Sequence, residues 1–423
     1  MKIREKISSI LLPLITLLLL LSCEDDIPFS GITNPYDYMQ DKTENADTVK
    51  INSIEAKGAD IETASIFTIY GENFQTDSLP NIRVFFNSVE SEVISATPTE
   101  LEVYRPNLSG DSIFVKVACH DRINVAKLGP ISLPKVVTSF GNFVGSEDIK
   151  EITIDSNDNL FAFMSGQKKI IKFELPVHAR TDWTGNLEGG QGYYAPVEMK
   201  VGPAGVITYA PNINVILRCG SDGSVYDNQR IDLLDSGVKA REFDYAQNDN
   251  IYAGGIDDGI ILADNQGEIT TFSLYQGYRI EALRIFEGYI YVIAKPMPGE
   301  SGQYGIYKNE IMDDGSVAES ELVLDWQATD YNEYEINDLT FSSGGQIYIG
   351  TDHPRAALLQ YNLSENTIAP IYYGIIDSPV DELEWGNDEY LYALINKAST
   401  VSNGNQIVKI NMGREGAPYY GRE

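Results

Sequence analysis

Cysteine, histidine and positive charge are scarce in this chain, and each scarcity closes off a class of function. There are three cysteines and three histidines in 423 residues. Cys119 and Cys219 stand 100 residues apart among apolar neighbours, so they read as buried packing residues rather than a disulfide. His120, His178 and His353 are widely spaced with no H-E-x-x-H, which disfavours a zinc hydrolase. No cysteine pair has metal-ligand spacing, no G-x-S-x-G elbow occurs, and no sialidase Asp-box is seen. Asp155-Ser156-Asn157-Asp158-Asn159 lacks the glycine and late glutamate of a calcium loop and reads as a hairpin turn. The sequence therefore assigns no catalytic residue, metal ligand or cofactor. Lysine and arginine number 31 against 62 acids, a net charge of −31. Such a field repels phosphate backbones and anionic lipid, which argues against nucleic acid as a partner. The same charge keeps an exported protein soluble. With 43% hydrophobic residues and 22% charged, the chain has the composition of a folded protein long enough for two or three domains.

What is present begins at the N-terminus. Lys2-Ile3-Arg4-Glu5-Lys6 leads an apolar run from Leu11 to Leu21, then small Ser22 and Cys23. A basic start, a core too short to span a bilayer and a terminal cysteine form the pattern of a lipoprotein signal peptide over residues 1–22. Cys23 would be the lipidated residue and the membrane attachment; a plain secretory signal with a chance cysteine is the alternative. Glu24-Asp25-Asp26 resembles the acidic export tag of surface lipoproteins in Bacteroidota-like bacteria. Residues 23–48 carry no sustained period and read as a flexible tether, spanning at most about 80 Å when extended.

Residues 49–134 alternate in short strands, such as Ile66-Phe67-Thr68-Ile69-Tyr70 and Ile113-Phe114-Val115-Lys116-Val117, and predict a small β-sandwich. Ile69-Tyr70-Gly71-Glu72-Asn73-Phe74 resembles the I-x-G-x-N-F turn of IPT/TIG immunoglobulin-like domains. Val84-Phe85-Phe86-Asn87, Ser95 to Leu101 and Pro106 follow in that family's order. The resemblance implies that Gly71 adopts a backbone angle other residues avoid and that Phe74 plugs the sandwich. It implies a spacer or interaction module rather than chemistry.

Residues 135–423 contain a repeat. Ile152-Thr153-Ile154 with Leu160 to Phe163 has counterparts beginning at Met199, Phe243, Leu283, Leu339 and Leu383, each joined to its partner by a tight polar turn. Third strands follow, as in Lys169 to Phe173, Ile260-Ile261-Leu262 and Ile407 to Ile410. Six units of about 48 residues match the period of four-stranded propeller blades. The expected fold is thus all-β, an immunoglobulin-like (IPT/TIG) sandwich followed by a six-bladed β-propeller. The hairpins resemble NHL-type repeats, without that family's glycine before the first strand. Two segments compete to complete the last blade: Val136 to Gly141, and Ala417-Pro418-Tyr419-Tyr420.

Aligned on their first strands, the blades begin Glu151, Glu198, Glu242, Ala282, Asp338 and Glu382. Five of six are carboxylates in one register, which a propeller would gather at one mouth of its channel. A competing reading has them satisfy backbone donors of the neighbouring blade. The loops entering the same mouth carry Trp183, Tyr193, Tyr194, Tyr275, Tyr278, Trp326, Tyr331, Tyr334, Tyr372 and Tyr373. Aromatic faces stack on sugar rings and carboxylates accept sugar hydroxyls. For any single tyrosine, packing between blades is the competing reading. The candidate ligand-binding set is Glu151, Glu198, Glu242, Asp338, Glu382, Trp183, Tyr193, Tyr194, Tyr278, Trp326, Tyr331 and Tyr334.

A lipid anchor, an IPT/TIG-like spacer and an acid-rimmed propeller together resemble Bacteroidota-type surface lipoproteins that accompany TonB-dependent importers. The resemblance implies a non-catalytic, outer-membrane, surface-exposed protein that captures a nutrient, first of all a glycan. Its partners would be the transporter and companion lipoproteins. A peptide or corrinoid ligand at the same mouth is the runner-up. A propeller glycosidase or lyase stays open, since a ring of acids contains some pair at a workable separation, as does a structural subunit of an importer.

Overall fold

Short alternating runs with tight turns have no helix to pack against and must bury their apolar faces on one another. In a computed structural model, residues 48–422 are described except 75–76, 121, 123, 144–146, 175–178, 185–194, 225–229, 257–258 and 397–404. Cys23, the tether, Tyr193, Tyr194 and His178 lie outside the described residues. The described residues form four-stranded antiparallel sheets, and the only helical segments among them are single 3-10 turns. No helix among them is long and apolar enough to cross a membrane.

Two sheets make the sandwich. One orders Lys50–Ala56, Ile66–Glu72, Glu100–Tyr104 and Val93–Ala96; the other orders Val89–Ser91, Ile82–Phe86, Gly110–Cys119 and Val125–Leu133. Alternate residues of the two inner faces, among them Phe67, Ile69, Val84, Phe86, Val103 and Val115, are fully buried between them. Phe74 joins this core. The expectation for Gly71 needs correction. Its φ is not left-handed; a side chain there would strike Lys50 O at 2.1 Å and the Phe74 ring at 2.3 Å. Asn73 carries the positive φ, 61°, a conformation asparagine tolerates better than most residues.

Six further sheets form the propeller. Their inner strands are Ile149–Ile154, Glu198–Val201, Lys239–Tyr245, Tyr278–Phe286, Ile336–Phe341 and Val380–Trp385. Each lies against the next, and the last lies against the first. Glu287 and Gly288, both at positive φ, make the two-residue hairpin of blade four, the turn whose twist suits antiparallel strands. In blade one, Asp155 Oδ1 accepts from the amides of Asn157 and Asn159, so that segment is a hairpin turn. Cys119 and Cys219 are buried and not joined in a disulfide, and burial pushes the Cys219 thiol up to about 12.

Ring closure falls to the N-terminal candidate. Val137–Phe140 pairs with Gln406–Asn411 as the fourth strand of blade six. The Phe140 ring packs 5.4 Å from Phe173 of blade one and 5.3 Å from Tyr392 of blade six. The C-terminal candidate does something else: it crosses beneath the ring. Ala417 N donates to Phe341 O of blade five, Pro418 O accepts from Arg284 of blade four, and Gly421 lies 2.5 Å from Val201 O of blade two if given a Cβ.

The sandwich is docked on blades five and six. The Tyr372 hydroxyl lies 2.5 Å from Asn411 O and 3.0 Å from Thr63 O. Tyr104 stacks on Tyr373 with centroids 4.3 Å apart, and Arg355 pairs with Glu92 at 3.0 Å.

Candidate functional site in the propeller channel

A β-strand turns alternate side chains to the same face, so the residue two before each ring acid should share its face. It does not. In five blades the pairing register slips immediately before the ring position, between Ile149 and Glu151, Ala240 and Glu242, Ile280 and Ala282, Ile336 and Asp338, and Val380 and Glu382. Each slip is a β-bulge, which re-aims the strand. Ile149, Ala240, Ile280, Ile336 and Val380 stay in the apolar layers between blades, and the next ring residue is turned into the channel.

Glu151, Glu198, Glu242, Asp338 and Glu382 are recessed rather than set on an open rim, between 2% and 7% exposed. One oxygen each of Glu151, Glu198 and Glu382 lies within 4.8 Å of the others, so residues 231 positions apart meet across the channel. Burial pushes the Glu198 carboxyl up to about 8 and that of Asp338 up to about 7, with Lys200 opposing in both. Burial first, and then neighbouring carboxylates, hold Glu151, Glu242 and Glu382 well above the usual range.

The five acids do not share one set of contacts. Asp338 fits the competing structural reading: it accepts from its own Leu339 amide at 2.7 Å and from Leu383 of blade six at 2.7 Å. Glu198 accepts from Met199 N at 2.8 Å. Glu151 Oε2 and Glu382 Oε1 are buried without a hydrogen-bond partner.

Two residues further along the same strands lies a second layer, which sequence reasoning missed: Thr153, Lys200, Asp244, Arg284, Thr340 and Glu384, all buried. Here the charges are matched. Lys200 Nζ lies 3.0 Å from Glu384, Arg284 pairs with Asp244, and Arg422 from the C-terminal tail reaches Glu384 at 2.7 Å. Burial opposes the Lys200 charge, yet Glu198, Glu384 and Glu382 together hold its ammonium well above the ordinary value. The buried Tyr419 ring closes the layer from below, with the guanidinium groups of Arg284 and Arg422 at 3.5 and 4.1 Å from its centroid. Tyr419 therefore covers the lower end of the channel.

The aromatic residues divide. Trp326 must be withdrawn as a stacking surface: it is fully buried in blade four and its indole N–H donates to Tyr334 O at 2.8 Å. A tryptophan just beyond an outer strand looks like a loop residue in sequence, but Asp325 caps a short turn that folds it inward. Trp183 is half-buried, edge-on to Phe161 at 5.1 Å, against the layer between blades one and two. Tyr278 is half-buried in a cluster with Tyr275 and Tyr307. Tyr331 and Tyr334 keep partly exposed rings on either side of His353, at 5.8 and 4.3 Å. Beside them, between sandwich and blade five, lies a cleft of ≈ 470 Å³ lined by residues including Arg83, Glu90, Glu92 and Arg355.

Comparison with known proteins bears on the two halves unequally. Residues 50–130 match the IPT/TIG domain family. That segment is an IPT/TIG domain. No curated protein matches the chain. Among solved structures, a Bacteroides thetaiotaomicron protein of unknown function is 12% identical, covers 88% of this chain and 100% of its own, and has a TM-score of 0.48. An auxiliary nutrient binding protein of the same species is 12% identical over 87% of this chain and 99% of its own, with a TM-score of 0.45. A luciferin-regenerating enzyme is 12% identical over 67% and 98%, with a TM-score of 0.49. A likeness this distant, spread over a binding protein and an enzyme, says nothing of what this IPT/TIG-propeller chain binds.

Proposed function

We propose that this chain is a non-catalytic capture protein that holds a nutrient, first of all a glycan, at the propeller mouth. On this reading Cys23 carries the lipid that anchors it to the outer membrane, and it presents its ligand to a TonB-dependent importer. The observation that carries the proposal is the buried carboxylate layer. A fold does not need five acids recessed in one channel, and concentrating them there opposes stability. Groups kept in such surroundings are candidates for binding. Tyr331 and Tyr334 supply partly exposed rings on the loop that leads into the inner strand of blade five, suited to sugar rings.

Affinity electrophoresis against plant, host and microbial polysaccharides tests this. Retarded migration that is lost in Tyr334→Ala supports capture of a glycan; no retardation by any polymer contradicts it. A second reading, a cationic peptide, is favoured by the surplus of acids in the upper layer, which Lys200 of the layer below does not balance. Binding that weakens steeply with salt would select it, because the long-range pull of a chain of net charge −31 on a cationic peptide is screened.

A further inference from the structure

Glu151, Glu198 and Glu382 come from blades one, two and six, and their nearest oxygens lie within 4.8 Å of one another. Each side chain is more than nine-tenths buried. Glu151 Oε2 and Glu382 Oε1 have no hydrogen-bond partner, although a buried acceptor left unpaired is costly. Lys200 relieves this only in part. Its Nζ is 3.2 Å from Glu198 and 3.8 Å from Glu382, but its hydrogen bond, at 3.0 Å, goes to Glu384 in the layer below.

We propose that Glu151, Glu198 and Glu382 are the protein ligands of a divalent-cation site in the propeller channel, suited to a hard ion such as calcium. The donors are all carboxylate oxygens, which select calcium or manganese over softer metals. Some point lies within about 2.8 Å of all three atoms so spaced, a small side-chain adjustment from the roughly 2.3–2.6 Å of calcium–oxygen bonds. Three protein ligands leave further coordination positions on the ion for water or for the hydroxyls of a captured molecule. Cation binding itself does not rest on the glycan reading, and either can fail without the other.

The competing occupant is a proton shared between Glu151 and Glu382. Isothermal titration of the chelator-treated full chain with calcium chloride and with manganese chloride at neutral pH separates the two, with thermal unfolding measured in parallel. The site is expected to bind one ion per chain and to raise the unfolding temperature as the ion is added. Glu151→Gln and Glu382→Gln, near-isosteric changes, should each weaken the affinity at least tenfold while the metal-free unfolding temperature holds or rises. Asp313→Asn, on the exposed surface, should leave affinity unchanged. Absence of saturable binding by either ion overturns the proposal. Binding that survives both glutamine variants overturns it equally, since the ion then sits on other acids.

Discussion

Two layers of the same channel, two residues apart on the same six strands, follow opposite rules. The lower layer alternates charge: Lys200 with Glu384, Arg284 with Asp244, Arg422 with Glu384, and a tyrosine ring beneath the cations. The upper layer repeats charge, with five acids and Ala282 at the ring positions. Burying ions is tolerable where each has a partner and hydrogen bonds for what remains. The lower layer meets that condition except at Arg284 Nε, which is buried without a hydrogen bond, and reads as construction. The upper layer does not, and groups held against stability are where binding is to be sought.

The largest effect that distinguishes the layers belongs to the lower one. Asp244 accepts from the amides of Tyr245 and Ile285 as well as pairing with Arg284. Asp244→Ala strands a buried guanidinium and is expected to cost about 3–5 kcal/mol in denaturant unfolding. A loss below about 1 kcal/mol would remove the distinction between the layers. Asp338→Ala belongs to the upper ring but loses two backbone bonds, one of them to the next blade. An intermediate loss of about 1–3 kcal/mol is expected, because the freed amides are left unpaired while acid crowding is relieved.

A smaller and broader effect follows from pH. The Glu198 and Asp338 carboxyls lie at about 8 and about 7 in the folded chain, against 4.5 and 3.8 for their ordinary values. Between these limits the folded state binds more protons than the unfolded state, so the stability these groups contribute falls as pH rises. It is fully present below about pH 4 and lost by about pH 8. Chelator-treated protein should therefore unfold at a higher temperature at pH 5 than at pH 8, and Glu198→Gln should flatten the slope. An equal slope in that variant would mean that the pH dependence arises elsewhere.

Much of the architecture was legible because it rests on local signals. Alternation, tight polar turns and a period of about 48 residues marked the blades, and five acids in one register marked a ring. What escaped is non-local. The bulges that aim the acids inward arise from a slip between paired strands, which no single strand records. The lower layer mixes Thr153, Lys200, Asp244, Arg284 and Glu384, a set with no shared residue type to align. The C-terminal Ala417-Pro418-Tyr419-Tyr420 reads in sequence as a candidate strand; the place of Tyr419 under the ring depends on Lys200 and Arg284 from blades two and four, and that of Arg422 on Glu384 from blade six. A metal site shows in sequence as histidine or cysteine spacings or a contiguous calcium loop, and the glutamate trio proposed above, drawn from blades one, two and six, has neither signature. Gly71 shows the same limit on a smaller scale, since its role is set by the approach of Lys50 O and the Phe74 ring.

The claim beneath all of this is that the unpartnered upper acids are kept for binding and contribute nothing to holding the ring together. The most direct measurement is the denaturant unfolding free energy of the double variant Glu151→Gln and Glu382→Gln in the presence of chelator. The account expects a value equal to or above that of the unaltered chain, because amides replace crowded carboxyls of nearly the same shape. A loss of about 3 kcal/mol or more would contradict it and place these glutamates among the groups that hold the blades together.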